Sequence, residues 1–317
     1  MRAYKHPVIF LAILITILAS SCSSVALPEA PGTYHIGVYS ISYNVSDYGT
    51  YQAEIRYPAI CDGELAPRDK SDAPYPGIVV SSGYGGGEWS INWISENLTS
   101  HGYITLGFTP PDMFSNSTTQ WAAGFIGGIE QLKIQNQNVS SPFYGLLDTS
   151  KFGAIGLSMG GAGCIEAAGT TDSEIDAVVA LAPAGYNSST NTSSMLAANN
   201  VSIPIQLQVG SEDSIVPPES VLPFYTNLIP NGTVKEFIEI RGGNHIGFLN
   251  WNFAEIASYL EIEPNASVGF EEQRRIANHY FTAWFQYYLK GLGGYSHYIF
   301  GKGAEESNVS VLDCNIP

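Results

Sequence analysis

The stretch Gly156-Leu157-Ser158-Met159-Gly160-Gly161 constrains this chain more than any other. Phe152-Gly153-Ala154-Ile155 before it reads as a strand, and Gly161-Ala162-Gly163-Cys164-Ile165-Glu166-Ala167-Ala168 after it reads as a helix. A serine on so tight a strand-to-helix turn takes a strained backbone, and glycines two places away on each side leave room for it. The turn lifts the hydroxyl above a sheet, at a helix N-terminus whose dipole favours developing negative charge. The chain therefore has to supply a sheet with helices packed on it.

Its rhythm does so. Two β-rich stretches, Tyr34–Asn44 and Tyr51–Tyr57, open the body as an antiparallel meander. Gly77–Ser82, Tyr103–Thr109, Phe152–Leu157, Ala177–Ala182, Ile205–Gly210 and Val234–Ile240 then read as strands. Ile91–Ser100, Trp121–Gln135, Gly160–Ala168, Trp251–Leu260 and Glu271–Leu289 read as helices. This alternation predicts an α/β fold with a mostly parallel central sheet, helices on both faces and no large lid domain. No internal repeat or central linker breaks it, so a single domain over 34–317 is expected.

The N-terminus carries an address. Arg2 and Lys5 precede an apolar run, Val8 to Ala19, which ends at Ser20-Ser21-Cys22. That run is shorter than the roughly 20 residues needed to span a bilayer. It predicts a secretory signal peptide over 1–21 and a Pro/Ser linker over 22–33. Leu18-Ala19-Ser20-Ser21-Cys22 resembles a lipoprotein signal, which would lipidate Cys22 and give the protein its one membrane contact. An extracellular or cell-surface glycoprotein is expected, since ten Asn-x-Ser/Thr sequons run from Asn44 to Asn308. Asp and Glu number 29 against 13 Lys and Arg, a net charge of −16. That field repels a polyanion and excludes nucleic-acid binding. With 44% hydrophobic residues the chain can offset the entropy of ordering, so disorder is excluded as well.

A serine hydroxyl needs a base, and the base a carboxylate to orient it. After a nucleophile of this kind the acid comes next in the chain and the histidine last. His245, His279 and His297 are the histidines downstream of Ser158. His245 lies in Arg241-Gly242-Gly243-Asn244-His245, straight after a predicted strand, and is the expected base. His279 falls inside a predicted helix, partly exposed, and His297 in a C-terminal loop. Asp213 sits just past the strand ending at Gly210, where catalytic groups gather in open α/β sheets. Glu212 is its neighbour and rival, while Asp172, Glu174 and Asp176 precede a strand and belong to the opposite edge. Two N–H donors for an oxyanion are expected from the backbone of Met159 and of Tyr84, in Gly83-Tyr84-Gly85-Gly86-Gly87. No metal-ligand spacing and no cofactor motif occurs.

Pro76-Gly77-Ile78-Val79-Val80-Ser81-Ser82-Gly83-Tyr84-Gly85, Gly156-Leu157-Ser158-Met159-Gly160-Gly161, Glu212-Asp213-Ser214-Ile215-Val216-Pro217 and Gly242-Gly243-Asn244-His245 occur in this order. Together they resemble the cutinase and polyethylene terephthalate hydrolase branch of the α/β-hydrolases, near dienelactone-hydrolase-like enzymes. The resemblance covers roughly 35–317. It implies an α/β-hydrolase fold, a monomer, Ser158, Asp213 and His245 as triad, and the amides of Tyr84 and Met159 as oxyanion hole. It also implies that Tyr84, Leu157 and Tyr186 touch substrate, Tyr186 standing where the polyester hydrolases place a mobile tryptophan.

Departures matter too. The family usually has Trp or His before the nucleophile, where this chain has Leu157. Cys314 resembles one half of the family's C-terminal disulfide, but the other half falls on Phe300. With Cys22 set aside, Cys164 is expected to be buried in the helix after Ser158, and Cys61 with Cys314 is the pairing that remains. The expected activity is serine carboxylic-ester hydrolysis through an acyl-enzyme, on polyester or other esters and extending to polyethylene terephthalate. The alternatives are a lipase or small-ester carboxylesterase and, from a different class, an idle surface-binding protein.

Overall fold

The computed structural model describes residues 26–186, 192–300 and 307–315. Among them ten strands form one sheet: β1 His35–Val45, β2 Gly49–Ala59, β3 Gly63–Glu64, β4 Tyr75–Ser81, β5 Ile104–Thr109, β6 Leu147–Leu157, β7 Ala177–Leu181, β8 Ile205–Gly210, β9 Lys235–Ile240 and β10 Val309–Asn315. Their order is β10-β9-β8-β7-β6-β4-β5-β2-β1-β3. From β5 across to β9 every neighbour is parallel. The β1–β2 hairpin joins the edge of β5 antiparallel, and β10 returns antiparallel on β9. The helices are α1 Asn92–Ser100, α2 Thr118–Gln137, α3 Met159–Ala168, α4 Ser193–Ala198, α5 Pro218–Pro223, α6 Trp251–Tyr259, α7 Phe270–Tyr288 and α8 Ser296–Phe300.

Every residue of β4, β7 and β8 is buried. A parallel strand covered on both faces has no polar side to show, so β7 reads as an unbroken apolar run, while β8 buries Gln206 and Gln208, each hydrogen-bonded. Helices α2 and α3 cover one face, with α4 packed on α3; α1 and α7 cover the other. On the first, Phe125 of α2 meets Phe108 of β5 edge-on, with centroids 5.2 Å apart. On the second, α7 buries Tyr280, Phe281, Trp284 and Phe285. A side chain of this size contributes about 1.5–3 kcal/mol when fully buried, so both layers are held by the same effect. The expected α/β-hydrolase fold is the observed one.

Three expectations change, and one open cysteine pairing closes. From residue 26 onward the supposed linker is fastened to the body. Pro28 is buried, the Gly32 N–H donates to Ser100 Oγ at 3.0 Å, and Glu29 pairs with Arg275 and His279. His279 is therefore buried and paired instead of partly exposed. His297 lies on α8, not in a loop. Cys61 and Cys314 are free thiols. Cys61 follows β2 and Cys314 lies on β10, seven strand spacings of about 4.8 Å apart, far beyond the about 7 Å a disulfide allows between Cα atoms.

Cys164 is buried as expected, with Sγ 3.0 Å from the Gly161 carbonyl, and burial pushes its thiol pKa up. Of the sequons, Asn97 is part-buried and uses its amide to donate to Asn278 Oδ1 (2.6 Å) and Thr282 Oγ1 (2.9 Å). The signal peptide expected over 1–21, Cys22, Asn187 and Asn191 lie outside the described residues. Among the described residues no helix is long and apolar enough to cross a membrane.

Candidate active site

Ser158 stands between the last residue of β6 and the first of α3, with φ 57° and ψ −116°. A left-handed φ is costly for a serine, so the surroundings have to impose it. They do. Its N–H donates to Leu181 O (2.9 Å), and its carbonyl accepts from the N–H groups of Ala162 (2.9 Å) and Ala184 (3.0 Å). A Cβ on Gly156 would lie 2.3 Å from the backbone of Gly160, and one on Gly160 would lie 2.2 Å from Ser82 O. The two glycines let the turn close on itself and press against the end of β4.

Asp213 lies beyond the C-terminal end of β8. Its Oδ1 accepts from the N–H groups of Ile215 (3.0 Å) and Val216 (2.6 Å), which leaves Oδ2 for His245 Nδ1 at 2.8 Å. His245 follows β9 on a loop clamped by α7. Gln273 Oε1 accepts the Asn244 N–H (2.9 Å), while Gln273 Nε2 donates to the Asn244 carbonyl (2.6 Å). The rival carboxylates are occupied elsewhere. Glu212 accepts from Ser267 Oγ (2.6 Å), Glu174 pairs with Lys133, and Asp176 accepts the Phe152 N–H (2.9 Å) at the far edge of the sheet.

Ser158 and His245 line one cleft of about 600 Å³, together with Gly83, Tyr84 and Leu157. Met159 opens α3, so its N–H has no acceptor within the helix. The Tyr84 N–H donates to no backbone carbonyl among the described residues. The Tyr84 ring is exposed and meets Phe114 edge-on at 5.5 Å. Leu157 is buried in the floor. Tyr186 is not brought to this cleft: its ring packs edge-on against the buried Phe224, 6.2 Å away. Tyr186 is half-buried there, packed against the core beside Phe224.

The opposite wall was not foreseen. Phe253, Ile256, Ala257, Leu260 and Ile262, on α6 and the turn after it, face the serine side across the cleft, with Trp89 and Ile215 beside them. Trp89 and Phe253 touch at 4.7 Å between centroids. The available signal was the spacing of Phe253, Ile256 and Leu260, one helical stripe on a segment that also exposes Trp251 and Tyr259. Among the described residues no Asp, Glu, Lys or Arg lines the cleft. A hydroxyl on a helix N-terminus, an imidazole held by a carboxylate, two unengaged N–H groups and a dry wall can support acyl transfer to an uncharged substrate. Among the described residues no cluster of His, Cys, Asp and Glu could hold a metal ion.

Similar proteins carry names of the same kind. The chain is 28% identical over 183 residues to "Cutinase est1" of Thermobifida alba, covering 56% of this chain and 55% of that protein. It is 28% identical over 183 residues to a "Cutinase" of Thermobifida fusca (strain YX), covering 56% and 54%. It is 27% identical over 194 residues to a "Bis(hydroxyethyl) terephthalate hydrolase" of Streptomyces coelicolor, covering 61% and 57%. The chain spans little more than half the length of these relatives. The model of the PET hydrolase-like family, by contrast, matches from residue 20 to residue 311, through the turn at Ser158 and the loops of Asp213 and His245, and the chain belongs to that family.

Proposed function

We propose that the protein is a serine carboxylic-ester hydrolase of the cutinase and polyesterase kind, with Ser158 as nucleophile, His245 as base and Asp213 as the group that orients it. The observation that carries this reading is the cleft that Ser158, on its strained turn, shares with a histidine whose Nδ1 is held 2.8 Å from a buried carboxylate. With Nδ1 occupied, Nε2 is the nitrogen that takes the Ser158 proton as Oγ attacks the ester carbonyl. The oxyanion of the tetrahedral intermediate is stabilised by the N–H groups of Met159 and Tyr84. His245 returns the proton to the leaving alcohol, and water then cleaves the acyl-enzyme by the same route in reverse. The sequence supports export, with lipidation at Cys22 as the anchor.

One observation favours a second reading of the substrate. The cleft wall mixes the aliphatic Ile256, Leu260 and Ile262 with Phe253 and Trp89, Leu157 stands where the family usually has an aromatic ring or a histidine, and Tyr186 packs on Phe224. These features suit the flexible acyl chain of a lipid-like or small ester better than the rigid rings of an aromatic polyester. Initial rates on p-nitrophenyl acetate, p-nitrophenyl octanoate and a terephthalate polyester film separate the readings. Hydrolysis of none of them, by protein of verified fold, would overturn ester hydrolysis itself.

A further inference from the structure

After His245 the chain makes an excursion and comes back. Asn250 ties the start of α6 to the serine side, its N–H donating to Ser90 O (2.7 Å) and its Nδ2 to Trp89 O (2.7 Å). Helix α6 supplies the apolar wall, and the segment then turns back under the loops of Asp213 and His245. It brings Glu263, which is only 1% exposed. Glu263 Oε1 accepts from the N–H (2.7 Å) and the Oγ–H (3.0 Å) of Ser214, and Glu263 Oε2 accepts from the N–H of Ile246 (3.0 Å).

Ser214 is the residue after Asp213, and Ile246 is the residue after His245. One carboxyl group therefore joins the peptide that follows the acid to the peptide that follows the base. On the preceding side the same loops are joined by the Glu212 N–H, which donates to Gly243 O at 2.8 Å. The Asp213–His245 contact is thus bracketed, by backbone before it and by Glu263 after it. We infer that Glu263 is a positioning residue of the ester-hydrolysing site, setting the distance and angle between Asp213 and His245. This rests on the reading of Ser158, His245 and Asp213 given above.

The chemistry of the side chain is what the role requires. A carboxyl group offers acceptors on both oxygens, and here all three partners are donors. A carboxamide of the same shape would turn an N–H₂ group towards a donor at one of the two loops. That loop would lose its partner in a buried place and shift to find another. Asp213 and His245 act as a unit with Ser158, so a displacement of either is felt in turnover and much less in ground-state binding.

The test is Glu263→Gln in the full chain, assayed on p-nitrophenyl acetate, with active sites counted by a serine-directed phosphonate. Turnover per labelled site should fall roughly 10- to 100-fold, with KM within about twofold of wild type. If Glu263 merely stabilised the fold, the melting temperature and the labelled fraction would drop while turnover per labelled site stayed at the wild-type value; that result overturns the inference. Should Glu263→Gln fail to fold, Ser214→Ala removes one of the three hydrogen bonds and should lower turnover per site roughly 2- to 10-fold. Unchanged turnover in that variant overturns the inference equally. Wild-type protein and Ser158→Ala run beside these: no hydrolysis by the wild type rejects the ester reading, whereas an active wild type with an unaffected Glu263 variant rejects only the positioning role.

Discussion

His245 Nδ1 lies 2.8 Å from Asp213 Oδ2, and both side chains are buried although 32 residues separate them. Each comes from the C-terminal end of its own strand, Asp213 after β8 and His245 after β9, and the two strands are parallel neighbours. The contact follows from the sheet: adjacent parallel strands deliver their following loops to the same edge.

That contact predicts the behaviour of Asp213→Asn. The carboxamide fits the same space but favours the wrong imidazole tautomer, so kcat on p-nitrophenyl acetate should fall by about 10⁴-fold. The Ile215 and Val216 N–H groups keep an oxygen acceptor, so the melting temperature should stay near that of the wild type. A variant retaining a tenth of wild-type kcat would remove Asp213 from the site.

Ser158→Ala should abolish turnover to the same floor as the double variant with His245→Ala, because the residues act together and their losses do not add. A serine-directed phosphonate should add its mass to the peptide containing Ser158 alone. Labelling of any other serine, with hydrolysis retained in Ser158→Ala, would move the nucleophile elsewhere.

Much of this site was legible in the sequence, for a local reason. The turn at Ser158 needs glycines at fixed offsets, and Asp213 and His245 each follow a recognisable apolar strand, so chain order and strand ends were enough. What could not be read depends on which element lies over which. Sheet order separates Cys61 from Cys314, and the packing of Tyr186 on Phe224 joins residues 38 apart in the chain. The return of the chain after α6 carries Glu263 to Ser214 and Ile246. The strand β10 went unforeseen because an edge strand with polar residues among its apolar ones takes its stability from its neighbour β9 more than from its own pattern.

The apolar wall yields a selectivity prediction. Ile256→Asn and Leu260→Asn place a polar group where a long acyl chain would lie. They should lower kcat/KM for p-nitrophenyl octanoate by roughly 10-fold per site, the effect of about 1.4 kcal/mol, and leave p-nitrophenyl acetate nearly unchanged. Tyr186→Ala should instead cost stability through its contact with Phe224 and spare the ratio between the two esters. Equal losses on both esters in the α6 variants would mean that the helix supports the site without lining it for the acyl chain.

Glu236 sets a pH dependence far from the cleft. It is fully buried on β9, with Oε2 accepting from Gln206 Nε2 at 2.6 Å and Oε1 without a hydrogen-bond partner among the described residues. Burial is the larger influence and raises its pKa from 4.5 to about 8, against the lowering effect of the Gln206 bond. The folded protein therefore holds this proton more tightly than the unfolded chain does. Its contribution to stability is fully present below about pH 4.5, is lost as pH rises towards about 8, and is flat above that. The loss is on the order of a few kcal/mol. Glu236→Gln keeps the shape, cannot ionise and still offers an acceptor to Gln206. Its melting temperature should match the wild type near pH 4.5 and exceed it by several degrees at pH 9, as read by calorimetry across that range. The many surface carboxylates titrate alike in both proteins, so the difference between the two curves isolates Glu236. Parallel curves would show that the side chain finds water or a counter-charge in solution and carries no buried proton.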